Sequence, residues 1–587
     1  MSRRKALALA ALLLLSCVLC CGGGQTRGHP LDAPFEDADG SELAAFAKAW
    51  PRPPAKAVPN VIIGVLNRHT LVGQTIGKKP WRFIHYTESR PMIAGELVVT
   101  MGGGELTALD AETGEVEWTV KALGRLRGVD DDGRTTIVSI ESLTRARSIV
   151  LAIARDGRVV RQIYERALVG SPAVIDDFAF LPYNSDTVVI FDLLEGTEAA
   201  RVVSKVPVTR AFKVGSDLYF GQDLALRFDD RIVAARRGGG TRIALPARNF
   251  PPDTPWMLPG STTPPVQASK ADRIRYYALP DAKLYALAYE RLAIGIEAPS
   301  GRTRWVTASD STFVGGTATA DSVALCDTAG LVRWFDLGSG REVHRASLKS
   351  RVMACAVQSA RAPRRPTGKR SESLVAQLAK AIALRDFGLV PMQLELLDDL
   401  ARIPGEAATK ALIELASTSP GMPPARRAIA IKAAELLGRR RSGAGAMVAA
   451  LEQAASPPST SGWRWYFEPP TAPVTELARA LAALGETRAA PILARLLDHP
   501  GMPSASLEAI AEALTTLAGP SERLRLSAFL LRHRCEPREA PLIGAVLAVA
   551  RALVRIGARD IVVRVATEAC DQEAMRTSLL AVAAPQP

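Results

Sequence analysis

The sequence predicts a multidomain chain: an all-β propeller of about seven blades, with six to eight compatible with the spacing, followed by an all-α solenoid. Three observations predict it. Turn glycines recur at Gly77, Gly114, Gly157, Gly196, Gly239, Gly301 and Gly340, a period of about forty residues, as propeller repeats require. Trp81, Trp118 and Trp305 each stand four residues after one of those glycines. From Leu374 onward the short β runs give way to Ala and Leu at helical spacings of three and four.

Length and composition agree. A chain of 587 residues is too long for one core, and 48% hydrophobic with 23% charged residues is ordinary globular usage. The net charge of +13 comes largely from arginines scattered among alanine-rich helices, so it reads as solvated surface with affinity for acidic surfaces. No nucleic-acid partner is expected.

The N-terminus begins with Arg3, Arg4 and Lys5, and Ala6 to Leu15 is apolar but too short to span a bilayer. Leu14-Leu15-Ser16-Cys17 follows. It resembles the bacterial lipobox, which implies a signal peptide over 1–16 and an acylated Cys17 as the mature first residue. Cys20 and Cys21 fit that motif less well. Residues 17–58, rich in Gly, Pro and Asp, read as a tether holding the folded body off a membrane.

Residues 59–358 hold the β repeats. The clearest unit joins strand Glu96–Met101, a turn, strand Gly104–Asp110, a second turn at Thr113-Gly114, and a strand carrying Trp118. Glycine supplies positive φ at the second turn, and Trp118 is placed to pack between neighbouring sheets. Asn249 to Lys270, rich in Pro, Ser and Thr, reads as a loop inserted in one blade. Val352–Val357 is expected to close the ring beside Asn60–Leu66, removing free sheet edges.

The run from Ala108 to Trp118, with Asp110, Thr113 and Gly114 inside it, resembles the pyrroloquinoline-quinone-type propeller repeat. That repeat occurs in quinoprotein dehydrogenases and in cofactor-free periplasmic propellers, among them the lipoprotein propeller of the outer-membrane barrel assembly machinery. The resemblance implies architecture more than activity.

Residues 359–373 form a basic, proline-punctuated linker, and 374–587 the helical repeats. Ser419-Pro420-Gly421-Met422-Pro423 returns as His499-Pro500-Gly501-Met502-Pro503, two repeat units later. Gly438, Gly485 and Gly557 each follow an apolar residue at a helix end, as C-cap glycines do. Leu477 to Gly485, then Ala490 to Leu497, resembles a HEAT repeat, implying four or five stacked helix pairs with a concave binding face.

The sequence carries none of the common catalytic or ligand spacings. The six histidines form no HExxH, and no GxSxG is present. Gly73 to Lys79 is one residue short of a phosphate loop and reads as a blade turn. Gly102-Gly103-Gly104 and Gly238-Gly239-Gly240 are turns with no helix after them. The sequence therefore assigns no catalytic residue, no cofactor and no metal ligand, and the chain is expected not to be an enzyme. Cys326, Cys355, Cys535 and Cys570 default to buried thiols, although the pairs Cys326–Cys355 and Cys535–Cys570 could bridge in an oxidising compartment.

One segment stands out as a candidate partner-binding site. Trp463, Arg464, Trp465, Tyr466 and Phe467 lie between Pro457-Pro458 and Pro469-Pro470, and aromatics with Arg dominate interface hot spots. The lipobox and propeller resemblances together imply a membrane-anchored envelope scaffold, an outer-membrane lipoprotein facing the periplasm, whose partners are other envelope proteins. The alternatives are a small ligand or polymer held in the propeller channel and, less favoured, a quinoprotein dehydrogenase. Cys17→Ser should abolish acylation and leave unprocessed precursor, read by metabolic lipid labelling; label lost only in Cys20→Ser or Cys21→Ser would move the anchor.

Overall fold

Seven sheets are present, and of the turn glycines Gly77, Gly114, Gly157, Gly196 and Gly340 are seen in their turns, while Gly239 and Gly301 lie outside the described residues. In a computed structural model of the chain, the described residues are 37–38, 60–89, 91–142, 147–175, 177–184, 187–204, 210–214, 217–223, 249–250, 274–277, 283–297, 302–319, 321–359, 372–419, 421–456, 470–534, 539–568 and 572–584. Sheet one orders Ala354–Gln358, Val61–Asn67, Thr70–Thr75 and Trp81–Ile84. Sheet two runs Met92–Ala94, Leu97–Gly102, Glu105–Asp110, Val116–Lys121, and sheet three Arg125–Asp131, Thr135–Glu141, Ser148–Ala154, Val159–Glu165. Sheet four is Ala173–Ile175, Phe178–Tyr183, Thr187–Asp192, Thr197–Ser204, with Asp37–Ala38 added parallel to its last strand.

Sheet five holds Arg210–Val214, Asp217–Asp223 and Asn249–Phe250. Sheet six is Ile274–Tyr277, Leu284–Tyr289, Leu292–Glu297, Arg302–Ala308, and sheet seven Phe313–Ala318, Ser322–Asp327, Leu331–Asp336, Glu342–Ser347. First strands of neighbouring sheets touch from sheet six through seven and one to five, so they form the inner ring. The closing strand lies where expected: Ala354–Gln358 pairs antiparallel with Val61–Val65.

A repeated lock joins blade to blade. In sheets two, four and seven the turn before the last strand opens with Asp110, Asp192 or Asp336, whose Oδ1 accepts nearby backbone N–H groups at 2.7–2.9 Å. Each turn closes when Gly114, Gly196 or Gly340 donates its N–H to that Asp carbonyl at 2.8–2.9 Å. These glycines have φ of 75°, 75° and 67°, a region that penalises any Cβ. Against the turn lies a side chain from the preceding blade. Trp81 packs on Gly114, Trp118 on Gly157 and Trp305 on Gly340. Trp81 Nε1 donates to Ala111 O at 3.0 Å, and Trp305 Nε1 to Leu337 O at 2.7 Å.

Small cross-strand partners make room for these rings. Trp81 sits opposite Gly73, Trp118 opposite Ala108, and Trp305 opposite Gly295. Arg161 takes the position in sheet three and serves the same turn differently, its Nε and Nη2 donating to Leu193 O and Leu194 O.

The ring seam carries a covalent clasp. Cys326 of sheet seven and Cys355 of the closing strand form a disulfide with Cα atoms 6.3 Å apart, correcting the default of free thiols. Strand patterns could not bring together two cysteines from different sheets; the closure does. In the chain-entropy model a bridge over 29 residues contributes about 3–4 kcal/mol. Cys535 and Cys570 lie outside the described residues.

Twelve helices follow among the described residues: Leu374–Ile382 (α1), Val390–Arg402 (α2), Glu406–Ala416 (α3), Pro424–Gly438 (α4), Ala444–Ala455 (α5), Val474–Leu484 (α6), Ala490–Leu496 (α7), Ser504–Leu517 (α8), Arg523–His533 (α9), Ala540–Arg555 (α10), Arg559–Glu568 (α11) and Glu573–Ala583 (α12). Even-numbered helices stack on one another in order, odd-numbered ones likewise, and each pair packs internally. This is a two-layer array of six pairs, one or two more than the repeats in sequence indicated. Neighbouring units cap one another's ends. Gln393 Nε2 donates to Ala381, Ile382 and Leu384 carbonyls, closing α1. Buried Arg440 does the same beyond α2, reaching Ala401 O at 2.8 Å and Ile403 O at 2.6 Å.

The Gly421-Met422-Pro423 and Gly501-Met502-Pro503 segments precede α4 and α8 and share one turn hydrogen bond, Met422 N–H to Ser419 O and Met502 N–H to His499 O, but Gly421 takes positive φ and Gly501 does not; Pro420 lies outside the described residues. Gly485 and Gly557 take positive φ as C-cap glycines should. Gly438 does not: it ends α4 in helical conformation, with Arg439 as the cap. The left-handed turn is made instead by Gly443, before α5.

The β and helical regions share one core. Tyr285, Leu287, Tyr289, Leu292, Ile294, Ile296 and Val306 of sheet six are buried in the same cluster as Leu378, Ile382, Leu389, Met392 and Leu396. The opposite face, with Ala286, Ala288, Ala293 and Trp305, packs towards sheet seven. Helix α1 lies along the last strand of sheet six, where Gln377 Oε1 accepts the Val306 N–H at 2.9 Å. Thr303 Oγ1 donates to Asp399 Oδ2 at 2.5 Å, and Tyr289 OH to Gly388 O at 2.8 Å. Helices thus cover an apolar sheet face and its open edge.

The lock makes a paired forecast. Gly77 has φ 89° with open space around it, whereas a Cβ at Gly114 would meet the Trp81 ring. Gly77→Ala should cost about 1 kcal/mol, the price of positive φ alone. Gly114→Ala should cost at least about 2 kcal/mol, because strain and overpacking combine. Urea midpoints of the two variants check this; equal losses would show that Trp81 does not seat on the turn.

Candidate functional site

Trp463, Arg464, Trp465, Tyr466 and Phe467 lie outside the described residues, as does Cys17. What the structure brings together instead are two constellations on the propeller, one internal and one exposed.

The internal one joins the first strands of sheets three, four and five. Lys213 Nζ reaches Asp130 Oδ2 at 2.9 Å, Asp131 O at 2.9 Å and Val174 O at 3.0 Å. An ammonium has three donors, so these acceptors use all of them. Asp130 Oδ2 also accepts Val174 N–H at 2.8 Å, while Asp131 takes Thr136 Oγ1 and Gly133 N–H. Burial pushes both carboxyls above the ordinary carboxylate range, and for Asp130 the Lys213 charge pulls the other way. Every donor here has a partner within the chain, so the cluster works as a clamp across three blades. Among the described residues no group of three or more His, Cys, Asp or Glu is placed to hold a metal ion.

The exposed constellation crosses sheets one and two, on the face where last strands pass to the next blade. Ile84 ends the last strand of sheet one at 77% exposure, and Leu123 follows that of sheet two at 64%. Between them Tyr86 stacks near His69, ring centroids 5.2 Å apart, and approaches Gly103. Leu123 lies over Gly104, whose carbonyl accepts the Ala122 N–H at 3.0 Å. Gly102 has no room for a side chain because the Tyr86 carbonyl occupies it. The Gly102-Gly103-Gly104 turn is therefore what lets the 84–88 segment cross between blades. The next blade adds Tyr164 near the end of its last strand, 63% exposed. Exposed Arg82 and Lys121 stand two residues before Ile84 and Leu123, giving the patch a basic rim.

This patch escaped the sequence reading. A last strand alternates buried and exposed positions, and Ile84 falls on the exposed parity only once Trp81 is known to face the next blade. The signal was available in the register of the tryptophans, three residues before Ile84 and five before Leu123.

A ring of sheets with a helical array packed on one blade defines the class: a multidomain β-then-α protein. Residues 68–243, which contain this patch, match a protein-family model described as outer membrane protein assembly factor BamB. No curated protein matches the chain. Among solved structures, BamB from Moraxella catarrhalis aligns at 15% identity over 51% of this chain and 85% of its own, with a TM-score of 0.28. The computationally designed Ika8 protein aligns at 10% identity over 47% of this chain and 92% of its own, with a TM-score of 0.30. With TM-scores this low, the architecture rests on the seven sheets and their ring order.

Proposed function

We propose that this chain is a non-catalytic scaffold of the bacterial envelope that binds other proteins through the Ile84–Leu123 face of its propeller, in outer-membrane assembly. The observation that carries the reading is that apolar face, lying inside the residues matched by the BamB family model. Large apolar side chains left in water lose about 1.5–3 kcal/mol each relative to burial, so a partner that covers them gains affinity. The basic rim at Arg82 and Lys121 favours a partner surface of acidic character. The Cys326–Cys355 disulfide supports an oxidising compartment. Acylation at Cys17 would hold the propeller near a membrane, and Trp463 to Phe467 would supply a second contact on the helical side.

Ile84→Asp with Leu123→Asp tests the reading. Both positions are exposed, so stability should stay within about 0.5 kcal/mol of wild type. Envelope proteins cross-linked to the wild-type chain in cells should be lost from the double variant. Unchanged cross-linked species from a folded double variant would refute this face as the docking site.

A further inference from the structure

A second exposed apolar feature lies in the helical array, on helix α9. At about 100° per residue, Leu524, Ala528 and Leu531 fall on one stripe of the helix, and Arg525 and Arg532 flank it on one side with Arg523 on the other. Leu524 is 81% exposed and Leu531 45%, while Leu526, Phe529 and Leu530 are buried in the array. The helix therefore has two apolar faces: one packs on its partners, and the other meets solvent between arginines.

The arginines are held in place by few carboxylates. Arg525 Nη1 and Arg532 Nη2 share Asp498, at 2.9 Å and 3.4 Å, and Arg523 Nη2 reaches Asp560 at 3.6 Å. Two guanidinium groups on one carboxylate leave a net positive site, with spare N–H donors on each fork. Helix α11, beside α9 in the same layer, adds exposed Arg559 and Arg564.

We propose that this face of α9 docks on an anionic phospholipid surface, with Leu524 and Leu531 entering the interface and the arginines meeting headgroup phosphates. Charge selects that occupant. Cationic flanks on both sides of an apolar stripe suit a phosphate-lined plane, into which such helices sink about 5–10 Å. Arginines also extend their heads to phosphate while their stems cover apolar surface. The inference goes beyond the propeller face and does not depend on it.

Vesicle flotation of the full chain tests it, comparing wild type with variants so that any contribution of the N-terminal segment is common to all. Wild type should bind vesicles containing about 30% phosphatidylglycerol at least roughly tenfold more tightly than pure phosphatidylcholine vesicles. Leu524→Asp with Leu531→Asp should remove most of that difference while leaving the melting temperature unchanged, since both side chains face solvent. Arg525→Gln with Arg532→Gln should reduce the anionic preference and weaken its dependence on salt. Equal binding to both vesicle types, or a folded Leu524/Leu531 variant that still prefers phosphatidylglycerol, would overturn the proposal. So would a stripe that cross-links to an envelope protein while showing no lipid preference.

Discussion

The contact on which the rest of this structure depends is the burial of one face of sheet six beneath helices α1 and α2. Tyr285, Leu287, Tyr289, Leu292, Ile294, Ile296 and Val306 form that face, and helical side chains complete their core. At about 1.5–3 kcal/mol for each buried large side chain, uncovering all seven would cost more than the roughly 5–10 kcal/mol by which many domains are stable. The polar contacts work in the same direction. Thr303 with Asp399, Tyr289 with Gly388 and Val306 with Gln377 satisfy groups that the packing would otherwise strand. The helical array is thus part of the propeller's own stability, and it fixes the direction in which a second surface can face.

Around the ring, order passes from blade to blade through contacts of a different kind. An indole leans on the turn of the next blade, a glycine leaves room for it, and an aspartate shapes the turn. Where the tryptophan is replaced, as at Arg161, guanidinium donors reach the same turn carbonyls. The seam is the one junction where the chain's two ends of the propeller meet, and there the closing strand and the Cys326–Cys355 bridge act together. A rigid ring of this sort holds the Ile84–Leu123 face in fixed register. The proposed scaffold role would use that fixed register to make several weak contacts at once.

Much of this was legible in the residues. The glycine period and the tryptophan four positions later encode both the turn and its neighbour, so they gave blade number and inter-blade packing together. The paired Pro-Gly-Met-Pro turns likewise marked equivalent places in the helical array. What stayed hidden depends on contacts between distant segments. Cys326 and Cys355 are bridged only because ring closure sets their Cα atoms 6.3 Å apart. The alternation in Leu292–Glu297 reads like that of any blade and does not say whether a sheet or helices will cover it. Gly438 shows the limit of local rules: its place after Leu437 fits a C-cap, yet α4 keeps helical geometry through it. The candidate site followed the same division, since exposure of Ile84, Leu123 and Leu524 is a property of packing.

The central claim is that sheet six and the first helices form one cooperative core. Amide hydrogen exchange of a core variant measures it directly. Leu396 of α2 is fully buried in the shared cluster, and Leu396→Ala should cost about 2–5 kcal/mol. If the core is shared, amides of Leu292–Glu297 and of Val390–Arg402 should both exchange faster, by similar factors. Faster exchange confined to the helices, with Leu292–Glu297 as protected as in wild type, would contradict the account.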